Sequence, residues 1–258
     1  MTLKPADLLR VRQLPLLEAA QADTFARLCR SAFLQRFPRG AQLTAEGESN
    51  DFLYVLLEGA VELEGTWNDR DSTLALLKPL STFVLASVIL DAPALMTART
   101  IMRSQVLMIP GETFRQAVRE DSGLSFAVAE ELSGCYSGVV RALKNYKLRG
   151  ALERLANYLL AQQTRQGGGA TLKLPCQKRV LASLLGMTPE NLSRAFASLG
   201  PYGVKVDGAL VTLTRPAILA RLAKPDALID NHATLDSEPA GQATRERRRC
   251  ERIAAHLV

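Results

Sequence analysis

The hydrophobic positions of this chain change their period as the sequence proceeds. Between residues 6 and 34, Leu8, Leu9, Leu16, Leu17, Phe25, Leu28 and Phe33 recur at roughly helical spacing and predict a run of short helices. From Phe37 the pattern shortens. Pro38-Arg39-Gly40 and Glu46-Gly47-Glu48 read as turns on either side of a short strand at Gln42–Thr44. Residues 52–57 and 60–64 read as two strands joined by a tight Glu58-Gly59 turn, and 72–77, 96–102 and 106–109 continue the series. Short strands punctuated by Gly, Pro and Asp predict an antiparallel barrel or jelly roll.

Residues 112–147 contain no proline and return to helical spacing. Phe126, Ala129, Leu132, Tyr136, Val139, Val140, Leu143 and Tyr146 form one apolar stripe at steps of three and four. A helix of that length outruns a small core, so its stripe predicts a coiled-coil-like contact with a second copy of the chain. A further helix is expected at 150–163, followed by a break at the glycines 167–169. The expected organisation is a sensory barrel domain with helical lead-in (1–111), a dimerisation helix (112–147), a DNA-binding domain (148–226) and a polar, disordered tail (227–258).

The segment 177–199 carries the most specific signal. Val180, Leu181, Leu184 and Leu185 give a short helix its inner face, and Gly186 ends it by accepting the left-handed conformation. Met187 sits under the turn. Thr188 is an N-cap, Pro189 occupies the first helical position, and Leu192, Ala195, Phe196 and Leu199 anchor a second helix. Two short helices joined through a glycine turn are a helix-turn-helix. Its outward residues Thr188, Glu190, Asn191, Ser193, Arg194 and Ala197 are not needed by the core. Near the start of a recognition helix, arginine can hold guanine O6 and N7, glutamate can accept from cytosine N4, and serine suits several base edges. Glu190, Ser193 and Arg194 are therefore the expected base readers. Thr188, Asn191, Gln177, Lys178 and Arg179 are expected in support. Residues 202–206 and 209–213 flank an Asp207-Gly208 turn and predict a two-stranded wing.

Charge agrees with this division. Residues 1–120 carry 13 Lys/Arg against 14 Asp/Glu, whereas 136–225 carry 14 against 3, so a polyanion is expected at the back half. Cys29, Cys135, Cys176 and Cys250 show no paired spacing, which argues against clustered zinc or iron–sulfur ligation. The two histidines, His232 and His256, both lie in the tail, leaving no histidine for catalysis or metal binding in the body. With no glycine-rich phosphate loop or nucleophile arrangement either, an enzyme is not expected. No apolar run reaches the roughly 20 residues of a membrane helix and no secretory pattern opens the chain, so the cytoplasm is the expected location.

In the order of its parts, over roughly residues 14–223, the chain resembles the superfamily of the cyclic-AMP receptor protein and the fumarate–nitrate reductase regulator. That resemblance implies an α+β protein: a cyclic-nucleotide-binding-like β-barrel, a long dimerisation helix and a C-terminal winged helix-turn-helix. It implies a homodimer acting on double-stranded DNA and RNA polymerase. Glu190-Asn-Leu-Ser-Arg194 fits the Glu-x-x-Ser-Arg pattern of the fumarate–nitrate branch, implying TTGAT-like half-sites in an inverted repeat. Arg194 would then meet guanine, Glu190 the opposing cytosine and Ser193 a neighbouring thymine.

The sensory half departs from the best-known branches. Where cyclic-AMP binders carry Gly-Glu and Arg-Ser pairs around ribose and phosphate, this chain has Leu85-Ala86 and Ala94-Leu95. An unneutralised phosphate there would be costly, so cyclic AMP is not expected; Arg99 is the one nearby cation and is expected to face solvent. No cysteine precedes Cys29, which removes the cluster of the oxygen-sensing branch. What remains is similar to clusterless regulators of denitrification and nitric-oxide response, some of which use haem. Haem is thus a candidate effector of the apolar segment 84–90, with Cys29, a methionine, a tyrosine or the N-terminal amine as axial ligand. The competing reading is a barrel-domain sensor or adaptor that acts through a protein partner without DNA.

Overall fold

The computed structural model describes residues 4–68 and 70–230. Their contacts fall into two units, one built from the chain up to Asp71 and from Ala75 to Gly138, the other from Ser72–Leu74 and from Val139 onward.

In the first unit, α1 (Pro5–Arg12) and α2 (Pro15–Glu18) each open on a proline, a residue suited to the first helical position because its missing N–H has no intrahelical partner there. With α3 (Ala22–Ser31) they bury Val11, Leu14, Leu16, Leu17 and Leu28. Eight strands follow: β1 (Phe33–Phe37), β2 (Gln42–Thr44), β3 (Phe52–Glu58), β4 (Val61–Trp67), β5 (Arg70–Leu77), β6 (Ser81–Phe83), β7 (Thr97–Thr100) and β8 (Ser104–Pro110). They form two four-stranded sheets, ordered β1-β8-β3-β6 and β2-β7-β4-β5. The expected barrel is there, and its central strand explains an oddity of the sequence. The apolar run in β3 does not alternate because both of its faces are covered. Leu53, Val55 and Leu57 pack with the helices, while Tyr54 and Leu56 pack with Val61, Leu63 and Ala98 of the opposite sheet. The Glu58-Gly59 turn tolerates only glycine. Gly59 has φ +93°, and a Cβ there would lie 2.3 Å from Ser104 Oγ.

The apolar segment 84–90 forms a one-and-a-half-turn helix, α4 (Leu85–Leu90), flanked by Val84 and Asp91, both left-handed. A β-branched residue in that region carries strain of order 1–2 kcal/mol. The helix expected at 112–147 is two helices, α5 (Gly111–Glu120) and α6 (Ser122–Leu148), broken at Asp121. Asp121 is 1% exposed and accepts from the N–H groups of Gln21 (2.7 Å) and Leu124 (3.1 Å), tying the start of α6 to the loop before α3. Along α6, Leu124, Ala127 and Val128 pack into the first unit's core. Phe126, Tyr136, Val139, Leu143 and Tyr146 of the predicted stripe remain at least half exposed.

The second unit holds α7 (Ala151–Arg165), β9 (Thr171–Lys173), α8 (Lys178–Leu184), α9 (Pro189–Ser198), β10 (Val204–Asp207), β11 (Leu210–Leu213) and α10 (Pro216–Ala223). Leu155, Leu159, Leu181, Leu192, Leu199 and Val211 form its centre. The wing has three strands rather than two, β9 pairing with β11 through Leu172↔Val211. Residues 227–230, assigned from composition to the tail, are held: Arg149, 7% exposed, grips Asp230 through two bonds of 2.5 and 2.6 Å and also donates to Asn145 and the Lys224 carbonyl. The rest of that tail, with Cys250, both histidines and the basic cluster 245–249, lies outside the described residues.

Burial works against ionisation of Asp121, yet bonds from the Gln21, Leu124 and Gly123 N–H groups and the Thr24 hydroxyl outweigh it and hold its carboxyl below the usual aspartate range. A group depressed in the native state stabilises above its unfolded value of about 3.9 and stops doing so as pH falls through the native value. Asp121→Ala should therefore cost about 1–3 kcal/mol at pH 7. Denaturant titrations of both proteins from pH 7 to pH 3 should show that gap closing below about pH 4.

Candidate nucleic-acid interface

The helix-turn-helix forms as the residues require. Gln177 caps the start of α8, whose Leu181 and Ala182 are fully buried, while Val180 and Leu184 are only half-buried and lie at the margin of the core. Gly186 takes φ +64°, the left-handed turn expected of it. Met187 packs against the core beneath that turn. The Thr188 hydroxyl then accepts from the Asn191 N–H at 3.2 Å, capping α9 behind Pro189. Leu192, Ala195 and Phe196 turn inward and bury.

The opposite face of α9 is bare. Glu190, Asn191, Ser193, Arg194 and Ala197 are all exposed, as are Gln177, Lys178 and Arg179 at the start of α8. Glu190 is held below the usual carboxylate range first by the N–H at the helix start, then by the Thr188 hydroxyl and by the Arg194 charge. Its carboxylate is therefore ionised and able only to accept, as recognition of a base amino group requires. The alternative fate for these side chains, a surface pair four residues apart, is not adopted: among the described residues Arg194 enters no ion pair or hydrogen bond. Lys178 places its ammonium 5.7 Å from the Phe196 ring centre, drawing the charge across the joint between the two helices. The wing adds cations that pattern reading had not singled out. Lys173 and Lys205 lie on the sheet face opposite buried Leu172, Val204 and Val211. Lys173 could be placed only once β9 was seen to join the sheet.

Residues 85–95 of the barrel unit are apolar in space as well as in sequence. Leu85, Val88 and Ala94 are buried, and Leu90 and Leu95 are exposed. Between the sheets, Tyr54 stacks on its sheet neighbour Phe83 at 5.1 Å and donates its hydroxyl to the Leu43 carbonyl. Among the described residues, no lysine or arginine between 33 and 110 is buried. Arg99 lies between buried Ala98 and Thr100 and so points away from the interior. It is partnered rather than simply solvated, bonding Gln42 at 3.0 Å and lying 3.6 Å from Glu64. Cys29 packs against the helical core, and burial pushes its thiol up to about 11, partly opposed by Arg12. A thiol so placed gives up its proton reluctantly.

Comparison with known proteins agrees with both units. Residues 34–121 match the cyclic nucleotide-binding domain, and residues 153–222 match the Crp-like helix-turn-helix domain. The CRP-like cAMP-activated global transcriptional regulator of Mycobacterium tuberculosis is 25% identical over 194 residues, covering 73% of this chain and 87% of that protein. The nitrogen fixation regulation protein FixK of Rhizobium meliloti is 26% identical over 193 residues, covering 73% and 82%. FixK2 of Bradyrhizobium japonicum shares the fold, with a TM-score of 0.66 at 22% identity over 76% of this chain and 99% of that one. The α+β architecture of barrel, long helix and winged helix-turn-helix is thus that of Crp-type transcription regulators, whose relatives here are regulators rather than enzymes. No helix among the described residues is long and apolar enough to cross a membrane.

Loss of the Thr188 cap should be measurable apart from any DNA. Thr188→Ala is expected to lower stability by about 1 kcal/mol. Thermal unfolding of the free protein would register that loss, with Thr188→Ser restoring most of it.

Proposed function

We propose that this chain, a DNA-binding transcription regulator of Crp type, works as a homodimer that reads an inverted repeat of TTGAT-like half-sites through Glu190, Ser193 and Arg194. The observation that carries this reading is an exposed Arg194, in no ion pair or hydrogen bond among the described residues, beside an ionised Glu190 on the exposed face of α9. A donor fork and an acceptor one turn apart suit a guanine and a cytosine of neighbouring pairs. Asn191 and the cap at Thr188 support that helix, while Gln177 at the start of α8, Lys178, Arg179 and the wing lysines are DNA-backbone contacts. The exposed stripe of α6 is the dimer surface, for it offers aromatic and branched side chains on the face turned away from its own core. Dimer symmetry then supplies the palindromy of the operator.

The effector is not a cyclic nucleotide. A cyclic phosphate needs a cation beside it, and among the described residues no lysine or arginine between 33 and 110 is buried, while Leu85-Ala86 and Ala94-Leu95 bring no charge to the segment. With the recognition pattern Glu-x-x-Ser-Arg and the likeness to FixK, this favours control of anaerobic or nitrogen-oxide metabolism, exerted through RNA polymerase at target promoters. Haem stays a candidate among apolar effectors.

Selection from random-sequence duplexes by the full chain should return an inverted repeat. Arg194→Ala should lose about 1–3 kcal/mol against that site and accept other bases at the guanine position, whereas Lys178→Ala should weaken all sequences alike and flatten the salt dependence. Recovery of no repeat, or unchanged base preference in Arg194→Ala, would defeat the proposal. Light scattering should give twice the chain mass, and Tyr136→Glu with Leu143→Glu should return it to one.

A further inference from the structure

The most heavily engaged side chain next to the recognition turn belongs to neither of its helices. Arg154, in the first turn of α7, donates from Nε to the Leu185 carbonyl at 2.9 Å and from one terminal nitrogen to the Arg149 carbonyl at 2.7 Å and the Tyr146 carbonyl at 3.4 Å. Its other terminal nitrogen lies 3.5 Å from the Gly186 carbonyl. These acceptors come from two different helix ends. Tyr146 lies in the last turn of α6 and Arg149 just beyond it, while Leu185 and Gly186 end α8. Carbonyls at a helix C-terminus have no intrahelical partner and carry the negative end of the helix dipole. One planar guanidinium thus caps both ends at once, a task that its fork of five donors permits and a lysine ammonium does not.

A second contact joins the same two places. The Tyr146 ring lies under the Arg154 guanidinium, 5.3 Å from centre to Cζ, and so close to the turn that a Cβ on Gly186 would come within 2.5 Å of its Cε2. Gly186 is thus bare for two reasons, its left-handed φ and the ring pressed against it. Two residues beyond Gly186, Thr188 caps α9, so whatever fixes the Leu185-Gly186 backbone also fixes where the reading helix begins. Tyr146 itself belongs to the exposed apolar stripe of α6 and is 60% exposed.

We infer that Arg154 is a positioning residue for DNA reading: with Tyr146 it locks the recognition turn to the end of α6, so that the arrangement of the α6 pair sets the spacing between two recognition helices. This rests on the dimeric, inverted-repeat reading above. Arg154 and Tyr146 touch no base; they determine which operator geometry the two readers fit.

The test uses the full-length protein and its selected operator, with the gap between half-sites lengthened and shortened by one and two base pairs. Affinity for each duplex is measured by fluorescence anisotropy, and unfolding is followed in parallel. The wild type should prefer one gap sharply. Arg154→Lys, which keeps the charge but cannot bridge both helix ends, should keep the same base preferences within a half-site while its discrimination between gaps falls about tenfold, within the usual range of coupling between sites. A uniform loss across all gaps, tracking a loss of stability, would mean a merely structural role and overturn the inference, as would unaltered discrimination. Should Arg154→Lys not fold, Arg154→Gln, which keeps a planar donor but cannot span both helix ends, carries the same measurement with the same expected and contrary results. A wild type that selects no inverted repeat fails the functional reading itself, whereas a sharp wild-type optimum retained by both variants fails only the positioning role.

Discussion

At Gly186 the backbone must turn left, and everything that reads DNA follows from that turn. An ordinary residue there would meet strain from its own Cβ and collision with the Tyr146 ring. Because the turn is tight, α8 and α9 share one small core built on Leu181, Leu192 and Leu199, and the face of α9 opposite that core is left to chemistry. The arrangement separates two demands that would otherwise conflict. Inward positions are settled by packing, and outward ones need only keep Glu190 ionised and Arg194 unengaged.

The barrel unit meets its own constraint differently. Its first sheet is covered on both faces, by helices outside and by the second sheet inside. The cost falls on segment 80–91, which carries the left-handed residues Leu80, Val84 and Asp91. Neighbouring helices hold this segment at both ends. Thr82 donates to Glu131 of α6, and Arg115 of α5 bonds the Val88 carbonyl and pairs with Asp91 at 2.8 Å. Strain of this kind persists only where surrounding contacts over-determine it.

Much of this was legible in the sequence because it rests on local rules. The N-cap at Thr188, the proline behind it and the glycine before it each have one favoured backbone setting, so the exposed face of α9 could be named from residue order. The antiparallel strands and the Glu58-Gly59 turn were legible for the same reason. What escaped notice depends on partners distant in sequence. The break at Asp121 is invisible to a helical period, because its carboxylate is satisfied by Gln21, one hundred positions away. Strand β9 is three residues long and acquires meaning only beside β11. Arg154 looks like one cation among many until its four carbonyls converge, and Arg99, on the outward face, is held there by partners in β2 and β4 that no local pattern announces.

Composition placed the end of the DNA-binding unit at residue 226, where the chain turns polar. The ion pair between Arg149 and Asp230 moves that boundary. A fragment stopped at 226 would keep the guanidinium, 7% exposed, and discard the carboxylate that neutralises it, and a buried charge stripped of its partner is among the costlier defects a small domain can carry. The shortest piece able to stand alone must therefore run to Asp230, four residues past the boundary that composition suggests. Its right-hand edge is set by an electrostatic debt incurred at the opposite end of the unit.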